Sequence, residues 1–163
     1  MSDNYNFSVG CIVRKEDEVL LVRHTYGGAK GKLLIPGGFC HKNELPEEAA
    51  VREVFEETKV TAKIRRMAGI RCDRNTWYML LEMDYVDGIP TSDMQENSEA
   101  VFCEISDALT RDDCTEMTKS ALRKILDASA NYFHSDIEYK STREIIIRFI
   151  FKLGFADLFY AFP

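Results

Sequence analysis

The sequence predicts an α/β fold, a mixed β-sheet held between helical layers. Three observations predict it. Strand-like and helix-like segments alternate, with most strands ahead of the final helix. Thr61 to Cys72 and Thr76 to Val86 alternate only imperfectly with a period of two, as strands covered on both faces do. Two segments, 46–59 and 115–128, carry helical patterns with start signals.

The elements follow in order. Phe7 to Val13 reads as a strand in which Gly10 allows a close approach. Lys15 to Glu18 is a charged turn, and Val19 to Arg23 returns as the second arm of a hairpin. His24 to Lys32 is a loop rich in glycine and lysine, and Leu33 to Pro36 a short strand leading to a glycine turn at Gly37 and Gly38. A helix starts near Pro46, where a missing N–H costs nothing, and Glu47 and Glu48 suit its first turn. It ends near Thr58 or Lys59, and Lys59 takes a left-handed cap at a cost of about 1–2 kcal/mol or ends the helix differently. Val51, Val54, Phe55 and Thr58 are its expected core face, and the small Ala49 and Ala50 leave room for a loop or ligand. Thr61 to Cys72 and Thr76 to Val86 read as long strands around a turn at 73–75. A polar loop covers 87–97, a strand 98–104, and a turn or short helix begins at Ser106 or Asp107. The last helix turns Met117, Ala121, Leu122 and Ile125 inward. The apolar segment 131–163 is expected to complete the core of a single domain spanning 1–163, or to form a homodimer surface.

The chemistry concentrates on the first helix. Glu53, Glu56 and Glu57 share a face, with Glu56 and Glu57 about 60° and 40° to either side of Glu53. Like charges at these spacings cost roughly 0.2–0.5 kcal/mol per pair. The helix dipole also disfavours acids toward the C-terminal end. A divalent cation reverses that balance, because hard cations take carboxylate oxygens; a solvated acidic face is the competing reading.

The wider pattern separates the two. Gly38, Glu44, Arg52-Glu53-Val54, Glu56-Glu57 and Val60 resemble the signature of the Nudix hydrolases: glycine, five residues, Glu, seven residues, Arg-Glu-aliphatic, one residue, Glu-Glu, one residue, glycine, aliphatic. Lys59 replaces the last glycine, and Ile35-Pro36-Gly37-Gly38 looks like the family's lead-in. The resemblance implies a Nudix-type α/β/α sandwich and a metal-dependent pyrophosphohydrolase using Mg2+, with Mn2+ able to substitute. It implies a metal shell of Gly37 (through its carbonyl), Glu53, Glu56, Glu57 and a distant loop acid, here Glu96, with Glu99 as the alternative. Glu53, Glu57 or Glu96 takes the proton from the attacking water, and Arg52 orients the acids through Glu56 and Glu44. By the same resemblance Arg23 contacts a substrate phosphate. Lys30 and Lys32 bracket the same loop, and Trp77 and Tyr78 offer faces for a base. A proline about fifteen residues past the signature often accompanies ADP-ribose use; this chain has none in 74–78. A catalytically silent nucleotide-binding regulatory domain is the rival class, and an RNA 5′-end pyrophosphohydrolase a weaker one.

Composition agrees. A net charge of −6 and the absence of a basic aromatic stripe argue against nucleic acid and anionic membranes as partners, and for a small phosphorylated nucleotide. Five cysteines without a C-x-x-C suggest neither a disulfide framework nor structural zinc; Cys40-His41 is a poor pair for shared work. With no signal-peptide pattern and no apolar run of spanning length, the expected location is cytoplasmic.

Overall fold

Strands β1 (Asn6–Lys15) and β6 (Thr76–Asp87) run parallel and in register from Asn6↔Thr76 to Arg14↔Asp84. Among the described residues they form the spine of an eight-stranded mixed sheet. This computed structural model describes residues 6–72, 76–127 and 133–135. The remaining strands are β2 (Glu18–His24), β3 (Leu33–Leu34), β4 (Gly37–Phe39), β5 (Thr61–Cys72), β7 (Asn97–Glu104) and β8 (Phe133–Ser135). Their order is β3-β2-β1-β6-β5-β8, with β4 on β1 and β7 on β2.

Among the described residues the helices α1 (Pro46–Thr58), α2 (Ile105–Thr110) and α3 (Glu116–Leu126) cover the sheet. Strand alternation sends Val9, Cys11, Val13, Leu20, Leu81 and Met83 to a core with Ala49, Ala50 and Val54 of α1. It sends Ile12, Val19, Leu21 and Leu80 to a second core with Ile105 and Ala108 of α2 and Ala121, Leu122 and Ile125 of α3. Two covered faces explain the imperfect alternation of β6, whose Leu80 and Leu81 enter opposite cores. Gly10 is needed for packing: a Cβ there would lie 1.7 Å from the Tyr78 hydroxyl.

Several boundaries depart from the sequence reading. Gly37 and Gly38 form a strand rather than a turn, pairing antiparallel with Gly10 and Val9. The chain turns later, at 40–45, where Asn43 takes a φ of 68°. Val51 and Phe55 are not core residues; they are 40% and 51% exposed. Ala49, Ala50, Val54, Glu57 and Thr58 form the buried stripe of α1 instead. Met117 is 45% exposed at the start of α3, while Ala121, Leu122 and Ile125 are buried as expected. The turn at 73–75 and most of the segment 131–163 lie outside the described residues; 133–135 run parallel to Ile70–Cys72 of β5.

Helix α1 begins and ends as its residues dictate. Pro46 occupies the first turn, and Glu48 accepts the Leu45 N–H at 3.0 Å. Lys59 takes the left-handed conformation, φ 60° and ψ 13°, its N–H donating to Phe55 O at 2.9 Å. Among the described residues no helix is long and apolar enough to cross a membrane.

Candidate active site

The exposed side of α1 meets the β1–β4 ladder and the loop before β7 in a cleft of about 520 Å3. Gly37, Gly38, Arg52, Glu53, Glu56 and Glu96 line it, with His24, Tyr26, His41, Tyr78 and Met117 among the other wall residues. Glu57 lies behind this lining, only 4% exposed.

Local packing forces this arrangement. Glu57 extends the buried stripe of Ala50 and Val54 at spacings of four and three, so it enters the protein beside apolar neighbours. The main-chain N–H of Gly37 donates to its Oε2 at 3.1 Å. Glu53 lies one turn earlier, against Gly38; a Cβ on Gly38 would lie 2.3 Å from Glu53 Oε1. That close approach requires glycine there.

Arg52 holds the acids of this face together. Its Nε donates to Glu44 Oε1 at 2.7 Å and its NH2 to Glu44 Oε2 at 2.9 Å. NH1 reaches Glu53 Oε1 at 2.8 Å and Glu56 Oε2 at 3.0 Å, and NH2 also reaches Phe39 O at 3.0 Å. The hydrogen bonds from Arg52 and the His41 N–H hold the Glu44 carboxyl at about 2, and the same contacts keep Arg52 charged. The side chain thus bridges Glu44, Glu53 and Glu56, the last at the spacing of four that puts the two residues on one helix face.

Glu96 arrives on the loop between β6 and β7, which docks on the C-terminal end of α1. Thr91 N donates to Thr58 O at 2.8 Å, and the buried Asn97 donates Nδ2 to Glu57 O at 3.0 Å. Asp93 accepts the N–H groups of Gln95, Glu96 and Asn97, which hold its carboxyl down against the opposing effect of burial.

The electrostatic result is an excess of negative charge. Burial pushes the Glu57 carboxyl up to about 8, and Glu53, Glu96 and Asp93 add to the rise, against the Gly37 hydrogen bond. Burial also raises Glu53, with Glu56 and Glu96 contributing and Arg52 opposing. A buried carboxylate facing other acids is the donor set a hard divalent cation neutralises. The residues fit such an ion chemically. Among the described residues, however, no three His, Cys, Asp or Glu groups converge as a ready-made cage. Glu56 lines the cleft with 58% of its side chain exposed.

Other sequence candidates lie elsewhere. Arg23 donates to Glu99 Oε2 at 2.7 Å and Asp113 Oδ2 at 3.1 Å, tying β2 to β7 and to the segment before α3. It does not line the cleft, and neither does Glu99. Lys32 donates to Asp112 O at 3.3 Å, and Lys30 is exposed outside the cleft. Trp77 pairs with Phe7 across the β1–β6 ladder, on the α1 side of the sheet; its neighbour Tyr78 faces the cleft. Sequence reasoning missed His24, Tyr26, His41 and Met117 as wall residues. Strand alternation beyond Arg23 was the available signal for His24; the loop residues Tyr26 and His41 carried none.

Comparison with known proteins bears on this site. A family model described as the NUDIX domain matches residues 4–125. An ADP-ribose pyrophosphatase of Methanocaldococcus jannaschii is 36% identical over 63 residues, 39% of this chain and 37% of that protein. A putative nudix hydrolase 1 of Caenorhabditis elegans is 28% identical over 113 residues, 66% of this chain and 31% of that protein. The matches thus span about a third of the length of these curated relatives. A NUDIX hydrolase structure from Nitrosomonas europaea superposes with a TM-score of 0.72 at 24% identity, covering 83% of this chain and 79% of that one, a likeness of fold.

Proposed function

The chain belongs to the NUDIX domain family, and from that premise we propose that it hydrolyses the pyrophosphate linkage of a nucleoside diphosphate joined to a second group. Nucleotide sugars, ADP-ribose, dinucleotides and nucleoside triphosphates are the substrate classes. One observation carries the reading: the buried Glu57, raised to about 8, lies behind a cleft lined by Glu53, Glu56 and Glu96. Arg52 answers Glu44, Glu53 and Glu56 but not Glu57 or Glu96, and a divalent cation would supply the charge that these two lack.

Glu53, Glu56, Glu57, Glu96 and the Gly37 carbonyl would hold magnesium, with manganese able to substitute. When bound, such an ion stabilises charge on the phosphate oxygens and lowers the pKa of water. Arg52 keeps Glu53 and Glu56 aimed by anchoring on Glu44. Glu53, Glu57 or Glu96 accepts the proton of the attacking water. Met117, Tyr78 and Tyr26 form the wall on which the rest of the substrate lies.

The test is a magnesium-dependent hydrolysis screen over these nucleotide classes, with product masses measured. ADP-ribose belongs in it because of the name of the archaeal relative. Turnover that chelator abolishes is expected. No turnover on any class, with tight magnesium-independent nucleotide binding, would replace the hydrolase with a regulatory binding domain.

A further inference from the structure

An acid delivered by a loop works only if something fixes its direction. Glu96 is such an acid, and the three residues following Arg23 hold it. Thr25 N donates to Glu96 O at 3.0 Å, and Thr25 Oγ1 lies 2.9 Å from the carbonyls of both Gln95 and Glu96. These contacts fix the backbone, and Asp93 fixes it from the other side through the N–H groups of Gln95, Glu96 and Asn97. None of them reaches the carboxylate.

The carboxylate has its own partner. Tyr26 Oη donates to Glu96 Oε2 at 3.1 Å, the one hydrogen bond to the Glu96 carboxylate among the described residues. The Tyr26 ring is in turn held against His24, with centroids 4.6 Å apart and planes 35° apart. His24 sits at the end of β2, opposite Asn97 in the β2–β7 ladder, so the stack rests on the sheet itself. All three residues, His24, Tyr26 and Glu96, line the cleft.

We infer that Tyr26 is a positioning residue for Glu96: its hydroxyl occupies Oε2 and leaves Oε1 turned to the reacting groups. The inference rests on the hydrolase reading above. It differs from the bland role of an exposed aromatic wall, on which a substrate ring stacks, because a wall needs the ring and not the hydroxyl.

The experiment compares the full chain with Tyr26→Phe, Glu96→Ala and the double variant, on the best substrate from the screen. Phenylalanine keeps the stack on His24 and removes one oxygen. Tyr26→Phe is expected to lower kcat about tenfold, with KM within twofold and an unchanged Tm, as loss of one hydrogen bond to a charged group does. In the Glu96→Ala background the same change is expected to cost nothing further, since the tyrosine acts through the missing carboxylate. Wild-type kcat in Tyr26→Phe overturns the inference, and so does an equal loss in both backgrounds. A loss confined to KM assigns Tyr26 to the wall instead. If the wild-type chain turns over no substrate, the hydrolase reading falls first, and the positioning role with it.

Discussion

Replacing Glu57 by glutamine separates the charge of the buried acid from its shape. Glutamine keeps an oxygen for the Gly37 N–H and cannot ionise. The carboxyl titrates at about 8 in the fold against an ordinary 4.5. The folded protein therefore holds the proton more tightly than the unfolded chain between these values. That contribution is fully present below pH 4.5 and is lost as the pH rises through 8. At about 1.4 kcal/mol per pH unit, the loss between pH 5 and 8 is about 3 to 4 kcal/mol. For a chain of this length that corresponds to roughly 10 °C in Tm. Thermal melts in chelator at pH 5 and pH 8 measure it. Wild-type Tm is expected to fall on the order of 10 °C more than that of Glu57→Gln over this range. Magnesium is expected to restore the wild type at pH 8 and leave the variant unmoved, while Glu57→Gln loses nearly all turnover with its fold intact. Parallel pH profiles for the two proteins would refute the reasoning, as would near-normal turnover of the variant at saturating magnesium.

Other expectations follow from single contacts. Gly38→Ala places a methyl 2.3 Å from Glu53 Oε1, so the carboxylate swings away; kcat should fall more than tenfold, with circular dichroism unchanged. Lys59→Gly relieves a side chain held at φ 60° and should raise Tm, by an amount worth about 1 kcal/mol, with activity retained. Arg23→Gln breaks the pairs with Glu99 and Asp113; denaturant melts should show a loss of about 1 kcal/mol, and KM should stay within twofold.

Much of the fold was legible because local signals agreed with one another. Pro46 and Glu48 mark the start of α1, and Lys59 caps it in the left-handed conformation, one of the two endings the sequence left open. The strand at 76–87 carries an apolar run from Trp77 to Leu81 and needed no partner to be seen. The inward face of α1 was read only in part: Val54 and Thr58 are buried, Val51 and Phe55 are not. Apolar content pointed to Val51 and Phe55, yet Ala49 and Ala50 let the helix approach the sheet closely, and Glu57 takes a place a hydrophobic residue would ordinarily fill. Such a local conflict is what a functional site imposes on a helix. The partners of Arg23 were hidden for a different reason. Its acids lie 76 and 90 residues away in sequence, and which way it points depends on an irregular register between Val22 and His24 that only the partner strand reveals. Trp77 and Tyr78 looked equivalent until the pairing of β1 with β6 gave each a face.

Manganese binding, followed by electron paramagnetic resonance with a methylene-bridged diphosphate analogue present, tests the central claim most directly. The wild-type chain should bind the ion at least tenfold more tightly than a Glu56→Gln, Glu57→Gln double variant, the loss expected when charged oxygen ligands become neutral. Equal manganese affinity in the two proteins would mean that the acids of α1 do not hold the metal.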